Sequence, residues 1–546
     1  MNYNIAHTLT ESAGILGDRI GLIEASSGRE FSFAELDRKS DSYAHLLTQK
    51  GFQAGERVML MVKPSADFIC LTFALFKIGA PVILIDPGMG YKNLLRCIAG
   101  VNPIGFIGIP KAHLFRVLFR KVFESVKISV CCGNSFGIFG PDILSVSSTD
   151  LGKYQAYSAK KDDLAAIIFT TGSTGPPKGV RYEHSIFKAQ LNLIRDYYGI
   201  GPGQVDQPAF PLFALFSTAL GATAVIPDMD PTRPAKINPE TFIRSIEKYN
   251  VSYSFGSPAI WNVVSNYCNQ SDHRLKTLKK VLMAGAPVSG KLIAGMQRVL
   301  SPDASIHTPY GATESLPIVS IDGKEITEST WPQTMQGMGT CVGRPLPGIS
   351  IAILPTSDAI IDSLTQEDFL MPGEIGEIIV SGAVVTKGYE NNDRENRLAK
   401  IPDGSSFWHR MGDVGYLDTI GRLWFCGRRA HRVIVQSNRG DITYYTVPCE
   451  AIYNNHPDVF RSALVGVAAK DNRIVPVIIV EPEKESHISE SRLITEVTEL
   501  GGKFSLTKNI THYLIHKDFP VDIRHNAKIF REKLAIWATA ELEKSL

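Results

Sequence analysis

The chain has few of the features that would take it out of the ordinary globular class. Its eight cysteines, at positions 70, 97, 131, 132, 268, 341, 426 and 449, form no Cys-x-x-Cys pair and stand near no histidine at zinc-ligand spacing. That pattern excludes a zinc finger or ribbon and a dithiol redox motif, and it reads as buried thiols in a reducing compartment. An excess of charge of one sign is also missing. The 57 Lys and Arg against 55 Asp and Glu leave a formal +2, so nucleic acid is not expected as a partner. No apolar run reaches membrane-spanning length, and the start, Met-Asn-Tyr-Asn-Ile-Ala-His, lacks the basic and apolar regions of a signal peptide. A cytoplasmic location is therefore expected. There is no internal repeat and no low-complexity tract.

What is present is 546 residues, 44% of them hydrophobic and 21% charged, more than one hydrophobic core usually supports. Strand-like runs at 58–62, 81–85, 164–170, 222–227, 253–256 and 280–284 alternate with helix-like segments such as 67–78 and 240–249. The alternation predicts a layered α/β architecture. From about Gly373 short β segments punctuated by glycine predict a small β subdomain. A boundary near 427–431 divides the chain into residues 1–427 and a smaller α+β domain, 428–546. The latter has strand signals at 462–467 and 475–480 and a final amphipathic helix from Ile529. The segment 111–130 interleaves Leu114, Phe115, Val117, Leu118, Phe119, Val122 and Phe123 with Arg116, Arg120, Lys121 and Lys127. It fits a membrane-surface or partner-docking helix, and more commonly a helix packed on its own domain with solvated basic residues.

The most informative stretch is 167–180, a short apolar strand that enters a loop rich in hydroxyls and glycine and ends in one lysine. Gly172, Gly175 and Gly179 let the backbone approach an anion closely. Thr170, Thr171, Ser173 and Thr174 offer hydroxyl donors, and Lys178 supplies compact positive charge. Pro176 and Pro177 stiffen the far side. The loop handles phosphate, yet it is not a Walker A sequence, because Gly179 and not Ser or Thr follows the lysine.

Four further motifs follow in order. Tyr310-Gly-Ala-Thr-Glu314 lies after a strand end, and its glutamate can hold Mg²⁺ while phosphates fill the remaining positions. His409-Arg-Met-Gly-Asp413 places an acid at a glycine turn, where it can accept hydrogen bonds from both ribose hydroxyls. Gly427-Arg428 stands at the boundary, and Asp522-Ile-Arg-His-Asn-Ala-Lys528 lies near the C-terminus.

As a set these motifs resemble the ANL superfamily of adenylate-forming enzymes, which includes acyl-CoA synthetases, nonribosomal peptide synthetase adenylation domains and luciferases. The resemblance covers nearly the whole chain. It implies a large N-terminal domain with a β subdomain and a mobile C-terminal lid carrying Lys528. It implies further that Thr170, Thr171, Gly172, Ser173, Thr174, Gly175 and Lys178 embrace the β- and γ-phosphates of ATP. Gly285, Ala286 and Pro287 with Tyr310 would sandwich adenine, the run Gly311, Ala312 and Thr313 would line the nucleotide, and Glu314 with Thr170 would hold Mg²⁺. Asp413 would bind the ribose, Arg428 the ribose and phosphate, and Lys528 both the carboxylate and the α-phosphate. Lys528, Glu314 and Thr170 are the implied catalytic residues. A carboxylate attacking ATP brings two anions together, so the catalyst must neutralise charge and align the attack.

The acyl side departs from common CoA ligases. Ala214, within Phe210-Pro-Leu-Phe-Ala-Leu-Phe216, stands about where many members carry histidine. Ala430 occupies the usual acidic or lysine hinge position, and Gln436-Ser-Asn-Arg-Gly-Asp-Ile-Thr443 replaces the expected glycine-rich turn. With the stretches 227–235, 443–450, 455–457, 461–467 and 521–528, these look like the olefin-biosynthesis β-lactone synthetases. That branch activates a 2-alkyl-3-hydroxy fatty acid with ATP and lets the substrate's own hydroxyl close the lactone. Phe210, Phe213, Phe216 and Leu316 are candidates for an apolar acyl wall. A fatty-acyl-CoA synthetase, or a fatty-acyl-AMP ligase loading a carrier protein, is the alternative, and only there would CoA be needed. A nucleotide sensor without turnover is a third reading, disfavoured by the retention of Lys178 and Lys528.

Overall fold

The computed structural model describes residues 2–146, 151–170, 176–210, 212–436, 440–469, 473–521 and 529–545. A six-stranded sheet runs Ile128–Cys131, Gly105–Gly108, Val58–Met61, Val82–Leu84, Leu164–Thr170, Lys178–Glu183, parallel except for the last pair. A fourteen-stranded sheet holds a parallel core through Thr223–Ile226, Val205–Asp206, Tyr253–Gly256, Lys280–Met283 and Ser305–Ala312. Beyond these it turns antiparallel through Ser315–Asp322 and Thr340–Pro345 into the strands of residues 349–428. The expected β subdomain is thus an extension of the large sheet.

The helix Ala66–Ile78 shows how the two sheets are joined. Twelve of its thirteen residues are buried, because it packs in one cluster with strand residues of both sheets, among them Val58, Val82 and Ala166 on one side and Leu22 and Ala224 on the other. A helix covered all round must be apolar all round. Its one buried cation, Lys77, is neutralised by Asp37 and Asp41, each at 2.6 Å. Ser65 caps its start, and Gly79 ends it at φ +81.

The last part of the chain builds its own cores. Two hydrophobic clusters consist wholly of residues from Val433 onward. They cover a three-stranded sheet of Val459–Ala468, Ile474–Pro482 and His512–Ile515, flanked by the helices Thr446–Tyr453, Glu490–Gly502 and Arg531–Ser545. All eight cysteines are buried and unpaired.

Two expectations are corrected. Residues 111–130 are not one helix: Pro110–Leu118 is helical, Phe119 leaves helical geometry at ψ +40, and Ile128–Cys131 is a strand on the edge of the six-stranded sheet. Val126, Ile128 and Val130, β-branched and alternating with Lys127 and Ser129, favour that strand. Asp413 is not at a turn either. It lies inside the strand Ser406–Leu417, which pairs Arg410 with Ile379 and Val414 with Glu377. The intervening residues form a bulge in which Gly412 takes φ +66.

Candidate functional site

The hairpin Ser305–Ala312 and Ser315–Asp322 has only Thr313 and Glu314 between its strands, so the glutamate is carried at a tip fixed from both sides. Gly311 is required there, since a Cβ would come within 2.5 Å of the Ser315 carbonyl. The Glu314 carbonyl accepts from the Thr386 N–H at 2.9 Å, and the Tyr389 hydroxyl donates to Glu314 Oε1 at 3.0 Å. Behind it lies Lys400, whose ammonium burial pushes down to about 7 against the raising influence of Glu314 and Glu183. Among the described residues no three His, Cys, Asp or Glu side chains could hold a metal by themselves.

On the adjoining strands Asp413 is buried. The Tyr310 hydroxyl donates to its Oδ2 at 2.6 Å, and Arg428 Nη1 lies 2.9 Å from its Oδ1. Burial raises the Asp413 carboxyl, while Arg428 and Tyr310 pull it back. Oδ1 accepts no aligned hydrogen bond from the protein. A buried carboxylate oxygen facing a crevice with acceptor capacity to spare fits a ligand that brings hydroxyl donors. Asp413 stands beside the bulge and pairs in register with Arg428 on the neighbouring strand.

Lys178 lies opposite Thr170 in the hairpin register, so the two ends of the phosphate-type loop are side by side. Its ammonium pairs with Glu395 and sits 5.0 Å above the Tyr389 ring. Thr171, Gly172, Ser173, Thr174 and Gly175 lie outside the described residues, as does the side chain of Thr170. So does Lys528. The ends of its segment are held, however: Val521 and Ile529 pair as an antiparallel bridge, and Arg531 binds buried Glu450 through bonds of 2.6 and 2.8 Å.

Gly285, Ala286 and Pro287 follow the C-terminal end of the strand Lys280–Met283, the edge at which open α/β sheets present ligands. They line one crevice of about 3000 Å³ together with Lys178, Tyr310, Gly311, Ala312, Thr313, Glu314, Asp413 and Arg428. Phe210, Phe213, Phe216 and Leu316 line it as well. Phe213 stacks on Phe255, which also lines the crevice, at 3.9 Å and is followed by Phe216 at 5.8 Å, so these aromatic rings form a ladder.

Sequence reasoning missed Tyr389, Glu395 and Lys400, which arrive from about 75 to 85 residues beyond Glu314 with no motif to mark them. It also missed a buried polar group in the crevice wall. Ser217 donates to Asp206 Oδ2 at 2.5 Å, and Tyr253 donates to Ser217 at 3.3 Å. Burial pushes the Asp206 carboxyl up to about 8. A raised folded value contributes stability that is fully present below about pH 4 and lost as pH rises through about 8. Asp206→Asn is expected to flatten thermal stability across this window, where the wild type declines by at most ~1.4 kcal/mol per pH unit from this group. Parallel melting-temperature curves for the two proteins would show Asp206 ionised throughout.

The AMP-binding enzyme family matches residues 9–390, most of the chain. The chain belongs to the AMP-binding, adenylate-forming enzymes. It is 43% identical over 517 residues to an olefin beta-lactone synthetase of Xanthomonas campestris pv. campestris, covering 93% of this chain and 91% of that protein. An olefin beta-lactone synthetase of Stenotrophomonas maltophilia is 42% identical over 519 residues, covering 94% and 92%. The fold matches that of ATP-bound MatB from Rhodopseudomonas palustris with a TM-score of 0.78 at 19% identity, over 99% of both chains. The mixed α/β fold with a large sheet and a smaller C-terminal domain is that of the ANL superfamily, as its sequence motifs imply.

Family membership sharpens one expectation for this adenylate-forming enzyme. Asp413→Asn keeps an acceptor for the Tyr310 hydroxyl but removes the charge facing Arg428. The KM for ATP is expected to rise about tenfold with kcat little changed, as for loss of a charge-assisted hydrogen bond made equally in ground and transition states. Steady-state kinetics with varied ATP reads this directly, and an unchanged KM would remove Asp413 from the nucleotide site.

Proposed function

We propose that this enzyme converts a long-chain 2-alkyl-3-hydroxy carboxylic acid and ATP to a β-lactone, AMP and pyrophosphate. The observation that carries the reading is the identity above 40% with two olefin β-lactone synthetases across more than nine tenths of both chains. The aromatic wall beside Glu314, Asp413 and Lys178 supports it, because a long alkyl acid needs an apolar bed next to a nucleotide-binding edge.

In the first half-reaction a carboxylate oxygen attacks the α-phosphorus of ATP, and pyrophosphate leaves with the electrons of the broken P–O bond. Lys178 and the loop 170–175 bind the departing phosphates, Asp413 and Arg428 hold the ribose, and Lys528 draws the two reacting anions together. Mg²⁺ held by Glu314 and Thr170 would neutralise phosphate charge. In the second half-reaction the 3-hydroxyl oxygen attacks the acyl carbon. AMP leaves with the bonding pair, and the hydroxyl proton passes to solvent.

The hinge supports a single arrangement for both steps. Exposed Ala430 offers no charge to the turn Arg429–His431, and its neighbours are tied down. Arg429 bonds the Ser357 carbonyl at 2.5 Å and pairs with Asp358 and Glu377, while His431 meets Glu532 at 3.1 Å. An intramolecular acceptor needs no new site for a thiol. We place the lid at 428–546 on this basis. The stretch 437–439, within the segment that departs from CoA enzymes, lies outside the described residues.

The reading is tested with paired acids. With the 3-hydroxy acid, AMP release should proceed at full rate without CoA. The 3-deoxy acid should support ATP–pyrophosphate exchange yet release little AMP. Strict dependence of AMP release on CoA with both acids would select the acyl-CoA synthetase instead.

A further inference from the structure

The helix Pro110–Leu118 and the loop after Ile128–Cys131 leave an apolar surface uncovered. Leu114, Val117 and Leu118 are 54, 55 and 70% exposed, and Phe136 and Ile138 are 90 and 75% exposed. Exposure of this size in five large apolar side chains from one short stretch needs a reason. The two elements form one surface: the His113 ring stacks on Phe139 at 5.1 Å, and Gly133 approaches Pro110 closely enough that a Cβ would lie 3.5 Å from its ring. The inward side of the same segment is packed, with Phe115, Phe119 and Phe123 in a cluster with Phe106 and Ile167. Its outward side is therefore available without disturbing the core.

Charge identifies what this surface meets. Lys111, Arg120, Lys121 and Lys127 are exposed along it against one acid, Glu124, between residues 110 and 127, whereas Arg116 turns inward over the Phe106 ring at 5.7 Å. Among the described residues none of these four exposed cations makes an ion pair, although the chain as a whole is nearly neutral. Asp142, the next acid along the chain, is turned to backbone N–H groups of Gly133 and Leu144. Apolar side chains ringed by uncompensated cations match an anionic lipid surface, where acyl chains receive the former and head groups the latter. Lys111, Ala112 and Phe115 of the same helix also line the crevice, so the surface adjoins the path into the site.

We infer that this basic, apolar face docks the enzyme reversibly on anionic lipid bilayers, placing the crevice beside the medium in which its substrate dissolves. The inference rests on the proposed long-chain substrate, since a two-tailed acid and its lactone partition into lipid. No helix among the described residues is long and apolar enough to cross a membrane, so the contact is with the surface.

The full-length protein is tested by co-sedimentation with vesicles of phosphatidylcholine alone and of phosphatidylcholine containing phosphatidylglycerol. Binding to the anionic vesicles is expected to be at least about tenfold tighter and to weaken as salt is raised. Leu118→Ser with Phe136→Ser should weaken it about tenfold, and Arg120→Glu with Lys121→Glu should abolish the preference for anionic lipid. Both double variants alter exposed side chains and should keep wild-type AMP release from detergent-dispersed acid without CoA. Equal binding to the two vesicle types, absence of vesicle binding, or capture by another protein without vesicle binding would overturn the docking. A protein that binds anionic vesicles through these residues but makes no lactone would overturn the functional reading and leave the docking standing.

Discussion

Glu314→Gln should yield a folded protein whose adenylation rate is lower by about 10²–10³-fold, the scale for removing one preorganised electrostatic contact from a transition state. The substitution is nearly isosteric. The amide oxygen it introduces can still accept the Tyr389 hydroxyl, and the backbone bonds to Thr386 are untouched. Lys400 feels the change as well: burial already lowers its ammonium, and the substitution removes one of the two charges that raise it, Glu183 being the other, so its neutral form is favoured further. The loss is therefore one of charge at the phosphates. ATP–pyrophosphate exchange measured against Mg²⁺ concentration should show both the lower rate and a higher Mg²⁺ requirement. Wild-type exchange with an unchanged Mg²⁺ profile would take Glu314 out of the ion site.

Lys528→Ala should reduce adenylation by a similar factor while leaving ATP affinity largely intact, which separates it from Asp413→Asn. Attack of a carboxylate on the α-phosphate builds negative charge between two groups that repel each other. A cation that meets both is worth most at that moment and little in the ground state. The chain spends several contacts on holding this segment's ends, the Val521–Ile529 bridge and the Arg531–Glu450 ion pair among them. Glu450 is buried and also accepts from the Leu464 N–H at 2.8 Å, so Arg531 is anchored to the sheet of the C-terminal domain. Nucleotide binding by the variant is read by calorimetry and the chemical step by single-turnover quench. A variant with full single-turnover rate would show that Lys528 does not touch the reacting groups.

The legible parts of this protein are those where local sequence and tertiary role coincide. The run 164–170 is apolar because its strand is interior to the six-stranded sheet, between Val82–Leu84 and Lys178–Glu183. The Tyr310 to Glu314 motif was readable for a similar reason, as a two-residue hairpin tip needs a glycine where Ser315 approaches. Asp413 was legible as a residue but not as a geometry. A bulge within the strand Ser406–Leu417 depends on the partner strand's register, which no local pattern encodes. Segment 111–130 misled because apolar residues at helical spacing continued past Leu118, and pairing with Gly105–Gly108 claimed its end for the sheet. Tyr389, Lys400 and Asp206 were invisible because their environments come from burial beside groups brought in from elsewhere in the chain, Glu314 for the first two and the hydroxyls of Ser217 and Tyr253 for the third.

The identity of the product decides whether this enzyme closes a β-lactone. Purified enzyme, ATP, Mg²⁺ and a 2-alkyl-3-hydroxy acid, with no CoA and no carrier protein, should give a four-membered lactone by proton NMR and mass spectrometry. One AMP and one pyrophosphate should appear for each lactone. Accumulation of acyl adenylate without lactone, or turnover only when CoA is added and with a thioester as product, would contradict it.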